Sequence, residues 1–511
     1  MPVHLRGRPQ VMRACTAWSP GLDETTYKST PIAPLSGALP WVLPCLLALA
    51  YLAICASYGG ADRAAVVCSD TLHYEGPASH FSPFSLDFYT ASRPFSTLWL
   101  FRIAHGSHGL VVVFQIVIAA CCWLALAATL PRLFRSRWVK LVAMLLPLML
   151  SLAWPIQTWN YLLLSESLCF SLLAAVIAVG ILVFHSNRPH TSLTVVVAWG
   201  FLFLVWGGTR DTVTYSIAVA AVGLLCWSLV LLWNARRPAR RACPHCRLPA
   251  RGPAFLVPAG LFLLVLAGSL NWLAERSGRW KANVLNSIDL RILSDTAARE
   301  EWVRELGMPD SPRLREFTGK FFWDHVGNEP REIQDIVILN PAASGDGLRG
   351  FPAWLSQRGL HALRSHLLRH PVQTIAAAVA AYAELPQYLP EEEAPWKLAG
   401  PHQWERPAIS KIATMLFFPA LGQKWMTALR CVVLLLAFAW CCAGRRWAPL
   451  AWSLVLLLNT FVQIESGYHG DAHGVGRHTL LAGILLRLSA IVIFCGAADG
   501  WLAKMREWAR E

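Results

Sequence analysis

The chain has 511 residues, 55% of them hydrophobic and only 15% charged, with a mean hydropathy of +0.42. That composition excludes an ordinary soluble globular protein. The formal net charge of +14 would suit a nucleic-acid binder only if the cations shared one soluble face, and no such face is visible.

In chain order, residues 1–40 read as a basic cytoplasmic segment. The first apolar run is too long for a secretory signal and lacks a clean small-residue cleavage site, so it reads as a retained anchor. About ten transmembrane helices are expected, at 41–58, 109–130, 139–156, 160–184, 191–208, 212–233, 254–273, 425–443, 447–464 and 479–499. Each lies near the ~20 residues that cross a ~30 Å hydrocarbon core. The expected fold class is therefore an all-α polytopic membrane protein. Helices one to seven fill 41–273, with a first outer loop at 59–108. A small, mostly helical hydrophilic domain occupies 274–410, helices eight to ten occupy 411–499, and a short tail covers 500–511.

Arginine and lysine set the orientation. The loops 131–140, 234–253 and 444–446 carry cations and no acid. The positive-inside rule makes their side cytoplasmic, together with both termini. The expected location is the cell (inner) membrane, crossed many times, with the bilayer itself a partner and nucleic acid not one. In the cytoplasmic loop, Cys243-Pro244-His245-Cys246 forms half a zinc-type pattern with no second pair, leaving structural and metal or redox roles open.

The polar residues that stand out all fall toward the opposite, outer side. Asp70, Tyr74 and Arg93-Pro94 lie in the first outer loop, where Pro94 starts a short apolar helix suited to lying along the membrane. Glu166 is set in a hydrophobic run, where an ionisable group is costly without a partner or a task. Arg210 and Asp211 form the outer turn between helices five and six. Glu465, His469, Asp471, His473, Arg477 and His478 fill the turn before helix ten. Each has a plainer reading: Glu166 as the buried partner of an arginine such as Arg210, Arg210 and Asp211 as turn caps, Asp70 as a loop acid. The His469-x-Asp471-x-His473 spacing has ligands suited to a divalent metal, although short glycine-rich loops often show such residues by chance. Arg487, deep in helix ten, is expected to snorkel or to pair internally.

Taken together, these motifs resemble the GT-C superfamily of polytopic glycosyltransferases. The resemblance rests on Asp70 with Tyr74, on Arg93-Pro94, on Leu164-Ser165-Glu166-Ser167-Leu168, on Thr209-Arg210-Asp211-Thr212, and on Arg477-His478 entering the last helix. Leu306-Gly307-Met308-Pro309 and His370-Pro371 look like a bacterial branch of that superfamily with no settled substrate. One position departs: where relatives tend to carry an acid before the arginine–histidine pair, this chain has Gly474-Val475-Gly476.

The resemblance implies transfer of a sugar from a polyprenyl-phosphate carrier to a cell-envelope glycan or lipid acceptor on the outer face, usually with inversion. It implies Asp70 as general base and Arg210, with Arg93 or Arg477, as holders of the carrier phosphate. Glu166 would orient an arginine or a sugar hydroxyl, while Tyr74, Asp211 and His478 would line the substrate site. It requires no certain cofactor and leaves a divalent metal open. Other classes remain: a lipid-linked polysaccharide polymerase or ligase, a transporter or flippase, and a non-catalytic membrane protein.

Overall fold

The computed structural model describes residues 39–58, 65–67, 69–185, 193–235, 253–319, 348, 350–384, 408–418, 423–443, 447–470 and 475–509. These residues are mainly helical and contain no strand. The chain divides into two units, residues 1–46 and 47–511. The first is represented only by the start of helix α1, Leu39–Tyr58.

Helices α2 (Ser69–His80) and α3 (Phe95–Ile103) follow in the first long loop. The apolar series continues with α4 (His108–Thr129), α5 (Arg137–Ser151), α6 (Glu166–His185), α7 (Leu193–Gly207), α8 (Val213–Ala235) and α9 (Pro253–Ser277). The hydrophilic stretch supplies α10 (Trp280–Ser287), α11 (Thr296–Arg304), α12 (Leu360–Arg369) and α13 (Pro371–Glu384). Helices α14 (Ala408–Phe417), α15 (Gln423–Ala443), α16 (Trp447–Gly470) and α17 (Val475–Trp508) complete the chain.

Six of these helices are long and apolar enough to cross a membrane, or seven if α5 and the following short helical segment count as one bent span. A run of apolar helices of this length points to a bilayer as their surroundings. The most enclosed of the six are α6 and α17. Each bears a charged residue of interest in its first turn, Glu166 and Arg477.

Helix α6 begins later than the hydrophobic pattern predicts. Between Ser151 and Glu166 the chain turns through 58° and runs as short helical turns and irregular backbone. Pro155 lies at this break, and the exposed carbonyls find partners elsewhere. Gln115 on α4 donates to the carbonyls of Leu162 and Leu164 at 3.3 and 3.0 Å, and Thr71 donates to that of Leu163 at 3.4 Å. Val66 pairs with the same strip, its N–H donating to the Tyr161 carbonyl and its own carbonyl accepting from Leu163. Irregular backbone at such depth persists only when protein satisfies it in this way. Glu166 thus sits at a helix N-terminus, where the helix dipole favours a negative charge.

The helix started by Pro94 is present and packs much of its surface against the protein. Leu98 and Phe101 are buried, with Phe95, Ser96, Thr97 and Leu100 beside them. Arg487 pairs internally, donating to the Phe417 and Gly483 carbonyls at 2.8 Å each. At the opposite end of α17 from Arg477, Asp499 accepts the backbone N–H groups of Arg135 and Ser136 ahead of α5.

The hydrophilic domain has its own apolar cluster, built on Val284, Leu285, Ile288, Trp302, Trp354 and Leu355. Arg291 ties it to the end of α16, donating to the Tyr468 carbonyl at 2.6 Å with its guanidinium over the Tyr468 ring.

Candidate functional site

Glycine at 208 decides how closely the first loop approaches the α7–α8 turn. A methyl group there would fall 2.3 Å from Phe95 Cζ and 2.4 Å from Ser96 Oγ. Without one, Ser96 donates its N–H to the Gly208 carbonyl at 2.9 Å and its hydroxyl to that of Val205 at 2.6 Å. Arg93, just ahead of α3, is thereby held beside the turn that carries Arg210. Gln463 on α16 braces the same turn by donating to the Thr212 carbonyl at 3.0 Å.

An ion-pair chain spans the ends of α2, α6, the α7–α8 turn and α17. Asp70 accepts from Arg93 at 2.5 Å through one oxygen and from Arg477 at 3.0 Å through the other. Arg477 also donates through Nε to Glu166 at 2.5 Å. Arg210 Nη1 stands 4.0 Å from the same Glu166 oxygen, and its Nη2 contacts His478. Asp211 is gripped by both prongs of Arg279, at 2.5 and 2.6 Å. The guanidinium of Arg93 lies over the ring of buried Tyr74, and that of Arg477 over Trp159.

Access is graded across this cluster. The side chains of Arg93, Asp70 and Arg477 remain 28, 25 and 22% exposed, whereas Arg210 and Glu166 retain only 7 and 1%. Asp70 and Arg93 therefore lie at the exposed side of the cluster and Glu166 at its buried side. Burial works to raise the Asp70 carboxyl, but the guanidiniums of Arg93 and Arg477 outweigh it and hold the group at about 2. Burial pushes the Tyr74 phenol above its ordinary range. Glu166 Oε2 and Arg210 Nη1 have no hydrogen-bond partner among the described residues. Within the linked pairs, Arg93, Arg210, Arg279 and Arg477 face Asp70, Glu166 and Asp211, leaving one cation in excess. Such a surface suits an anionic ligand, and arginine forks match phosphate oxygens.

Eight residues singled out in the sequence thus meet at one end of the bundle: Asp70, Tyr74, Arg93, Glu166, Arg210, Asp211, Arg477 and His478. The closest partner of Glu166 is Arg477 rather than Arg210. Of the candidate metal loop only His469 is described, with its Nε2 3.2 Å from the Thr374 carbonyl. Asp471 and His473, like Cys243 and Cys246, lie outside the described residues. No relative emerges. No family model matches the chain, and neither a curated protein nor a solved structure does.

Sequence reasoning passed over Arg279, which directly follows Gly278 after α9 and lies among several similar arginines. It also passed over Asp289, whose carboxyl is fully buried with neither oxygen hydrogen-bonded among the described residues. Burial pushes that carboxyl from 3.8 up to about 8. The unfolded chain releases this proton above 3.8, while the folded chain keeps it until about 8. The folded state therefore binds more protons in that window, and stability falls as pH rises through it. Asp289→Asn should remove this contribution. Thermal unfolding of the detergent-solubilised protein should show a smaller loss between pH 5 and 8 for the variant than for the parent. Equal losses would contradict the assignment.

Proposed function

We propose that the chain is a membrane glycosyltransferase that moves a sugar from a polyprenyl-phosphate carrier to a cell-envelope glycan or lipid on the extracytoplasmic face. The observation that carries this reading is the convergence of the Asp70, Arg93, Glu166, Arg210 and Arg477 side chains, drawn from four separate parts of the chain. Their chemistry covers what such a transfer needs.

Asp70 accepts the proton of the acceptor hydroxyl as its oxygen attacks the anomeric carbon. The bond from that carbon to the phosphate oxygen breaks, and polyprenyl phosphate leaves with the electron pair. Arg210, Arg93 and Arg477 hold the growing phosphate charge, which needs no protein acid. Attack opposite the leaving group inverts the sugar. Glu166, buried at the inner side of the cluster, positions Arg477 and Arg210 rather than touching the acceptor. In this reading about ten helices cross the bilayer, α1, α7 and α15 included, and the hydrophilic domain stands outside.

Reconstitution in liposomes with a polyprenyl-phosphate sugar, labelled in the sugar, and a cell-envelope glycan extract tests the proposal. Label in the acceptor together with freed polyprenyl phosphate is the expected outcome. A transporter would carry the donor across intact, and that result would overturn the reading.

A further inference from the structure

The hydrophilic domain brings together three side chains that neither the ion-pair cluster nor the proposed transfer uses. Glu301 on α11 faces His366 on α12 and His370 just beyond its end. One carboxylate oxygen of Glu301 lies 3.0 Å from His366 Nδ1 and 2.9 Å from His370 Nε2. The three donor atoms all fall within 4.8 Å of one another. Ligands about 2.0–2.1 Å from a tetrahedral zinc ion are separated by roughly 3.3 Å, so only small side-chain shifts would seat an ion between them.

The frame behind these ligands is firm. Trp302, next to Glu301, is fully buried, and its ring meets that of His366 edge-on at 5.8 Å. His366 and His370 are four residues apart, and their rings lie 4.9 Å from each other. Side-chain exposures of 13, 19 and 37% for Glu301, His366 and His370 leave a route for an ion and room for water as a fourth ligand. Arg369 Nη1 pairs with Glu305 and stands 3.5 Å from the second Glu301 oxygen, the one that does not meet the histidines.

We propose that Glu301, His366 and His370 form a zinc-type transition-metal site that clamps α11 to the end of α12. Two imidazoles and one carboxylate suit zinc or a similar borderline ion better than calcium or magnesium, which prefer oxygen. The site stands apart from the transferase reading and survives its failure.

The full chain in detergent, stripped with a chelator and titrated with zinc alone, gives the test. The parent should take up one equivalent, and its melting temperature should rise with zinc. His366→Gln and His370→Gln, which keep hydrogen-bonding capacity toward Glu301, should each weaken binding at least ~10-fold and lose the melting shift. His469→Gln should bind as the parent does, which separates this site from the last turn of α16. No uptake by the parent, or parent-like uptake by both histidine variants, would overturn the proposal.

Discussion

Asp70→Asn is expected to lower sugar transfer by about 10²- to 10⁴-fold, the span a positioned general base supplies, while donor binding changes far less. Asp70 is favoured over Glu166 because its side chain is a quarter exposed and Glu166 is sealed. An acceptor hydroxyl can reach only the former. At about 2, the Asp70 carboxyl is a weak base in the resting protein. Its weakness has an identified cause, the two guanidiniums of Arg93 and Arg477. A donor phosphate competes for those same guanidiniums. As they turn toward it, Asp70 loses its partners and its proton affinity rises toward the ordinary carboxylate range. The acid limb of the kcat profile, which reports the bound enzyme, should therefore lie at higher pH than that of kcat/KM. Transfer by Asp70→Asn at the parental rate would remove Asp70 from this role.

Arg477→Met is expected to cost about 3–5 kcal/mol of stability, the usual penalty for removing one partner of a buried ion pair. Arg477 is the only described side chain that bridges both carboxylates, at 2.5 Å from Glu166 and 3.0 Å from Asp70. Without it, Glu166 keeps an enclosed charge whose next cation, Arg210, is 4.0 Å away. Arg477→Lys should restore only part of the loss, because an ammonium is a single point charge and cannot span two carboxylates as a fork does. Adding Glu166→Gln to Arg477→Met should recover stability, since the stranded charge disappears. Unfolding of the detergent-solubilised variants measures all three. A double variant no more stable than Arg477→Met would show that the cost comes from packing rather than from charge.

The apolar helices were legible because hydrophobic run length alone predicts them. The runs at 109–130, 212–233 and 254–273 became α4, α8 and α9 almost residue for residue. The start of α6 was not. Hydropathy sees Tyr161 to Leu164 as helix, whereas their backbone is claimed by Val66, Thr71 and Gln115 from distant parts of the chain. The residues of the candidate site were legible for a related reason: polar groups in or beside apolar runs stand out. Their pairing was hidden, because an expected place near one end of the helices does not say which arginine meets which acid. His366 and His370 have the i, i+4 spacing of helix-borne metal ligands, which the sequence reading passed over, and the third residue, Glu301, lies some sixty residues earlier in a strongly charged stretch where no local pattern marks it.

In the proposed reaction this cluster cleaves a sugar from polyprenyl phosphate. The most direct measurement follows the labelled donor in liposomes holding the parent or Asp70→Asn, with both proteins first shown to be folded at the assay temperature. Free polyprenyl phosphate and a labelled acceptor are expected with the parent, and bound but uncleaved donor with Asp70→Asn. Donor that stays intact with both proteins, or is cleaved equally by both, would rule out this role for the cluster.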